Sequence, residues 1–254
     1  MALEYNKSKR WVYTQIHDHK VPQKYHNPRA VTLVCDTTFY GKKRDKLGTV
    51  LFYDVLKSEV LLWEHIETEK SASYKKLLKQ LLALGYTINS VTMDGKRGLN
   101  TVFKEYPIQM CHFHQKQIVQ RTITKNPKLD ASKDLQKIMQ TLTQTTEKTF
   151  KMKLQCWRSK YEDFLAEMTV NHETGKAVYT HYKLRAAYTS LCSNLDHLFT
   201  YKKHKEFCIP NTTNHLDGGK FSDLKNRIRV HRGLSKKLKK KLVDYFLVNN
   251  GKKH

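Results

Sequence analysis

The period of apolar and polar positions changes along the chain. Between about residues 30 and 113, short β-branched and aromatic runs alternate with helical stretches. Val31-Thr-Leu-Val-Cys35 is an apolar run closed by Asp36. Leu47 to Leu56 and Glu59 to Ile66 read as two further strands, and the polar pair Lys57-Ser58 between them fits a hairpin. Over Ser71 to Leu84 the residues Tyr74, Leu77, Leu78, Leu81 and Leu82 fall on one helical face, and Gly85 supplies the stop. Tyr86 to Met93 predicts a fourth strand, Leu99 to Tyr106 a short helix, and Ile108 to Phe113 a fifth strand.

From about residue 114 to 208 the pattern is almost wholly helical, with Gly175 as its one glycine and no proline between Pro127 and Pro210. Leu135, Ile138, Met139 and Leu142 form one stripe; Phe150, Leu154, Trp157, Tyr161, Phe164 and Leu165 form another. The last stretch opens on Asn211-Thr-Thr-Asn214, a capping-type cluster. Two helices follow, the second with Leu234, Leu238, Leu242 and Phe246 at four-residue intervals. This order predicts an α/β protein with one mixed sheet and helices packed on its faces. The hairpin edge would be antiparallel, and the strands ending at Asp36, Asp94 and His112 parallel. With the Asp94 strand beside the Asp36 strand, both carboxylates lie at the carboxyl edge of the sheet, where α/β proteins bind ligands.

A length of 254 residues allows one to two domains with a substantial core. No run approaches the roughly 20 apolar residues of a membrane span, so an integral membrane protein is excluded. Hydrophobic residues at 39% and aromatic residues at 11% exclude a disordered basic tail. The start, Met1-Ala-Leu-Glu4, is too polar for a secretion signal. Five irregularly spaced cysteines argue against a disulfide framework and for a reducing compartment, so a cytoplasmic protein is expected. The balance of 47 Lys and Arg against 23 Asp and Glu gives a net charge of +24, which calls for nucleic acid, an anionic membrane or an acidic partner.

The position of the charge favours nucleic acid. Residues 211 to 254 carry 12 Lys or Arg against 3 Asp. Lys220, Lys225, Arg227, Arg229 and Arg232 form one cationic helix face. Between Lys236 and Lys241 five of six residues are lysine, beginning with Lys236 and Lys237. Such a run is either a solvated face or a set of phosphate contacts, and the scarcity of acids nearby favours phosphate.

Three further groups could carry chemistry. Asp36 and Asp94, each ending a strand, are either turn formers or carboxylates that hold divalent ions for phosphodiester hydrolysis. Magnesium suits them, being a hard ion that prefers carboxylate oxygen and keeps several waters. Cys111-His-Phe-His114 has the spacing of half a zinc site, which His204 and Cys208 could complete; the alternative is a buried thiol and a hydrogen-bonded imidazole locking a corner. Asp217, in Thr213-Asn-His-Leu-Asp217, is either a helix cap or a third acid.

Taken in order, Asp36, Asp94-Gly95, Cys111-x-x-His114 and Thr213-Asn-His-Leu-Asp217 resemble the motifs of DDE/D transposases, above all the Mutator-like group and its bacterial insertion-sequence relatives. Phe221-Ser-Asp-Leu-Lys225, Val230-His-Arg-Gly-Leu234 and the lysine-rich helix are similar to the tail of those bacterial enzymes, so the resemblance covers roughly residues 30 to 250.

That resemblance implies an RNase H-like five-stranded mixed sheet with flanking helices, interrupted by an all-helical insertion. Residues 28–124 would form the first part of the core, 125–210 the insertion, and 211–254 the helices completing the catalytic core. The spacings agree, with Asp94 lying 58 residues after Asp36 and Asp217 a further 123 residues on. The resemblance further implies that Asp36, Asp94 and Asp217 hold Mg²⁺ or Mn²⁺; the third acid is often glutamate in relatives where this chain has Asp217, and Asp223 is the fallback. Cys111 and His114 match the family signature. Trp157 falls where related insertions present a tryptophan to the DNA end, although its stripe with Leu154 and Tyr161 favours a core position.

Relatives usually carry a DNA-binding module ahead of the catalytic domain. Here Leu3 to Ile16 reads like the last helix of a helix-turn-helix, and residues 1–20 as its remnant, which makes a truncated or internally initiated product the expectation. The implied activity is metal-dependent cleavage at transposon ends and strand transfer into target DNA. DNA is the expected partner, with a homo-oligomer assembled on it, no membrane, and a place in the bacterial nucleoid. A nuclease without strand transfer, or an inactive DNA-binding remnant, are the competing readings.

Overall fold

A computed structural model describes residues 6–41, 45–170, 173 and 175–249. Helix α1 (Lys9–Asp18) is followed by strands β1 (Ala30–Phe39), β2 (Gly48–Asp54) and β3 (Glu59–Ile66). Helix α2 (Ser71–Ala83), strand β4 (Thr87–Met93), the single turn α3 (Leu99–Val102) and strand β5 (Ile108–Met110) come next. The five strands form one sheet in the order β3-β2-β1-β4-β5. β2 and β3 are antiparallel, with Gly48 opposite Ile66 and Asp54 opposite Glu59; β4 and β5 are parallel, with Met93 beside Met110. This is the RNase H-like α/β arrangement.

The chain divides into two compact units, one of Met1–Ala30, Asp36–Thr87 and His215–His254, the other of Val31–Cys35 and Ile88–Asn214. In the first, β2 is buried along its whole length, and α2 packs against β2 and β3. The buried face of α2 is Tyr74, Leu77, Leu78 and Leu81, as the helical spacing predicts, while Leu82, expected on the same face, is exposed. The chain leaves it through Gly85 at φ +88°, a left-handed backbone that a side chain would strain. Arg29, just before β1, ties the two ends of the hairpin turn together: its Nη2 lies 2.7 Å from both Asp54 Oδ2 and Glu59 Oε2.

Two more helices close this unit, α10 (Phe221–Val230) and α11 (Lys236–Asn249), preceded by one π-helical turn at His215–Lys220. α11 buries Leu238, Val243, Phe246, Leu247 and Val248 and packs on α10 and β3. Its Asp244 Oδ1 accepts from Trp63 Nε1 and meets His65 Nε2, both at 2.7 Å, while His65 Nδ1 lies 3.1 Å from Thr49 Oγ1. A basic helix is thereby bonded to the edge strand.

The second unit adds α4 (His112–Ile123), α5 (Asp130–Gln140), α6 (Glu147–Lys160), α7 (Glu162–Ala166), α8 (Tyr182–Leu198) and the short α9 (Thr200–Lys203). Its core runs from Met110 and Val119 through Leu135, Phe150, Trp157 and Leu165 to Leu191 and Phe199. Two strands, β6 (Met168–Val170) and β7 (Ala177–Tyr179), interrupt the helices as an antiparallel hairpin exposed at every position. The expected insertion is therefore helical but not all-helical.

Several boundaries differ from expectation, each for a local reason. β1 does not close at Asp36; Thr37, Thr38 and Phe39 are β-formers and carry the strand three residues further. β5 stops at Met110, because Cys111 caps α4 and puts His112 to His114 in its first turn. The helix predicted over Leu99 to Tyr106 is the single turn Leu99–Val102. Of the stretch Leu3 to Ile16, residues 3–5 lie outside the described residues and Lys9 onward forms α1. Among the described residues no helix is long and apolar enough to cross a membrane.

Candidate active site

Asp36 sits inside β1 with 5% of its surface exposed. Its Oδ1 accepts the Thr37 N–H at 2.7 Å. Thr37 Oγ1 lies 2.8 Å from the Tyr74 hydroxyl, which donates to Glu69 Oε1 at 2.6 Å; the phenol has one proton, so the threonine hydroxyl donates to it. Asp94 directly follows β4 and is half-buried. Its Oδ1 accepts the Lys96 N–H at 3.2 Å, the Asx-type turn that Asp-Gly favours. At Gly95 a Cβ would stand 2.7 Å from Met110 Cε, so the turn presses onto β5 and leaves no room for a side chain unless the methionine shifts. β1 and β4 are neighbouring strands in the sheet order; Asp36 lies within β1, and Asp94 follows the last residue of β4.

Asp217 lies in the π-helical turn, and its side chain is outside the described residues. Asp223, the fallback, is exposed in the first turn of α10, with its carboxylate 3.3 Å from Arg227 Nε.

The Cys-x-x-His signature is a corner between strand and helix. Cys111 is fully buried, and its N–H donates to Met93 O at 2.9 Å. Its sulfur accepts the Thr213 N–H at 3.3 Å and lies 3.5 Å from Thr213 Oγ1. Burial pushes the thiol up, but hydrogen bonds from His114 and Thr213, with the His114 charge, outweigh it and lower the Cys111 pKa to about 7. The next residue, His112, is held neutral: burial, more than the charges of Lys116 and Lys202, lowers it to about 4, against the opposing bond to Leu198 O at 2.7 Å. The corner thus grips Thr213, four residues before Asp217.

His204 and Cys208 do not complete a zinc site with this pair. Among the described residues no group of three or more His, Cys, Asp or Glu side chains could hold a metal ion. A set that includes Asp217 involves a side chain outside them. The donor chemistry of Asp36, Asp94 and Asp217 is nevertheless that of a hard divalent ion, all carboxylate oxygen.

Trp157 is a core residue, 3% exposed, with its Nε1 donating to Ala131 O at 2.8 Å and its ring stacked on Tyr188 at 5.3 Å. Of its two readings the core position holds, since the Leu154–Trp157–Tyr161 stripe faces inward, and the DNA contact implied by the resemblance is corrected.

The basic helices sort their charges. Arg227 pairs with Asp223 and lies over Phe246, Lys220 lies 5.2 Å over Tyr53, and Lys236 pairs with Glu67. Lys237 is exposed. Lys225 and Arg229, four residues apart on α10, Arg232 in the turn that follows it, and Lys239 of α11 line a cleft of about 610 Å³. Its other wall is Phe39, Tyr40 and Gly41, where β1 ends, and Asp45 is its one acidic residue. Burial keeps the Tyr40 phenol protonated by pushing its pKa up. Lys239 lies in the lysine run, but nothing in the sequence separates it from its neighbours; only the packing of α11 turns it toward β1.

A scan of protein-family models finds none that matches, and a search of curated proteins likewise finds no match. Among solved structures, a chain of the simian T-cell lymphotropic virus intasome in complex with PP2A regulatory subunit B56 gamma aligns at 11% identity and a TM-score of 0.26, covering 72% of this chain and 68% of that one. A chain of the Drosophila P element transposase strand transfer complex aligns at 12% identity and a TM-score of 0.31, covering 86% of this chain and 57% of that one. Both similarities are faint.

Proposed function

We propose that the chain is a DDE/D-type transposase catalytic domain of the Mutator-like group that cuts DNA at transposon ends and joins the freed end to target DNA. The observation that carries the reading is the cationic cleft at the end of β1, three residues beyond Asp36. Four cations against one carboxylate is a surface for a polyanion, and fixed guanidinium forks suit phosphate oxygens. The motif order Asp36, Asp94, Cys111-x-x-His114 and Asp217 supplies the chemistry.

In this reading Lys225, Arg229, Arg232 and Lys239 hold the sugar–phosphate backbone without reading sequence. Asp36, Asp94 and Asp217 would hold Mg²⁺, which lowers the pKa of bound water and neutralises the attacking and leaving oxygens. The Asp94 turn, fixed by Lys96 N–H and by Gly95 against Met110, keeps that carboxylate in place. The Cys111 corner, through Thr213, fixes the start of the segment that carries Asp217.

The test is a salt series. With a mixed-sequence duplex, the slope of log affinity against log salt should fall by roughly 2 in Arg229→Glu/Arg232→Glu, about 0.9 per lost phosphate contact. Lys237→Gln, outside the cleft, should change it far less. An unchanged slope and affinity in the double variant would remove DNA from the cleft.

A further inference from the structure

A second cavity adjoins the cationic cleft and shares Phe39, Tyr40 and Gly41 with it. Its volume is about 560 Å³, and Leu47, Thr68, Glu67 and Glu69 line the rest of it with Lys46. Phe39, the last residue of β1, borders both spaces. The backbone is fixed beside it, where the Tyr40 N–H donates to Leu47 O at 2.8 Å. The ring lies against Gly48 at the start of β2: a Cβ there would come within 2.7 Å of Phe39 Cδ1 and Cε1. Glycine at this position is what lets the ring settle on the strand. The phenylalanine is nevertheless 47% exposed, so a large apolar ring faces water at the edge of the cleft.

The two spaces differ in sign. Among the described residues the cleft has four cations and one carboxylate, whereas the second cavity has Glu67 and Glu69 against Lys46. Glu67 pairs with Lys236 at 2.5 Å, and Glu69 Oε1 accepts from the Tyr74 hydroxyl at 2.6 Å. A carboxylate takes several hydrogen bonds, so both remain acceptors. Phosphate is drawn to the cleft and repelled by these acids. What suits an apolar wall rimmed by acceptors is an uncharged, flat group with N–H donors. A nucleobase is such a group: it offers a π-face to Phe39, and adenine, guanine and cytosine carry exocyclic amino groups. Inside a duplex those faces are stacked, so the base has to come from an unpaired nucleotide.

We propose that the second cavity is a base pocket, which takes one unpaired nucleobase of a DNA strand whose phosphates lie in the cationic cleft, with Phe39 stacked on that base. The pocket rests on the DNA reading and extends it from backbone to base. Phe39 supplies the stacking face, Gly48 seats its ring, and Glu67 and Glu69 accept from the amino group.

The experiment measures affinity, without divalent ions, for a labelled blunt duplex and for the same duplex with a short unpaired 3′ tail. The parent should prefer an adenine tail over the blunt end by about tenfold, the scale of one base–aromatic stack. An abasic tail should bring no preference, and a cytosine tail should bind better than a thymine tail, which has no exocyclic amino group. Phe39→Ala should remove the preference while blunt duplex binds with parental affinity; Phe39→Tyr, which keeps the ring, should retain it. Arg229→Glu/Arg232→Glu should weaken both DNAs alike. Tyr25→Ala, an exposed ring that lines neither space, should change neither. Equal binding of blunt and tailed DNA by the parent would overturn the pocket while leaving the DNA reading standing. Equal weakening of both DNAs by Phe39→Ala would overturn it by making the ring structural. A preference that survives on the abasic tail would assign it to the tail's phosphates and overturn the base. Thymine bound better than cytosine would overturn the part given to Glu67 and Glu69. A parent that binds neither DNA would overturn the pocket and the DNA reading together.

Discussion

At the scale of single residues, Trp157 shows how one side chain satisfies two patterns and serves one. The resemblance read from the motifs would have it meet DNA, whereas its helical stripe places it in the core. The ring is enclosed, stacked on Tyr188, with its N–H used by Ala131 O. Truncating it removes a large buried ring and leaves a carbonyl unpaired, so Trp157→Ala should cost about 3–5 kcal/mol in chemical denaturation. The folded fraction should bind DNA as the parent does; a variant of unchanged stability with weakened DNA binding would reverse the assignment. Periodicity carried this answer, because the alternation of inward positions is set by packing. The Cys111–His114 pair was legible as a motif but not as a corner. Its partners, the Thr213 N–H and hydroxyl, come from a segment 102 residues away.

At the scale of elements, the strand and helix order was readable because each carries its own period. α2 and β3 matched almost residue for residue. Two strand ends were misplaced because the neighbours decide: Thr37 to Phe39 carry β1 past the acid, and Cys111 starts α4 where the strand was expected to run on to Phe113. The hairpin of β6 and β7 was hidden because all six positions are exposed, so no alternation marks it. The basic run was legible as charge but not as orientation. Which lysines face the cleft depends on how α11 is fixed to β3, and Asp244 with Trp63 and His65 fixes it. Asp244→Ala leaves the Trp63 donor without its acceptor and should cost about 1–3 kcal/mol of stability. It should also weaken DNA binding at low salt through disorientation of Lys239. Unchanged thermal unfolding and unchanged binding would show that the bonds do not orient the helix.

At the scale of the whole molecule, a net charge of +24 favours an anionic partner, but does not say where it would bind. The structure resolves that charge into places. Arg227 and Lys236 are tied to acids, whereas Lys225, Arg229, Arg232 and Lys239 gather at the end of the strand that bears Asp36. The central claim is that the aspartates of the neighbouring strands β1 and β4 perform metal-dependent chemistry on the DNA those cations hold. Its most direct measurement is the product of the full chain with Mg²⁺ and a labelled duplex carrying the DNA that borders the reading frame, in the presence of a target plasmid. The parent should give cut strands with 3′-hydroxyl ends and joined plasmid products; Asp36→Asn and Asp94→Asn should give neither while binding the duplex with parental affinity. Undiminished cutting and joining by either variant would contradict the account.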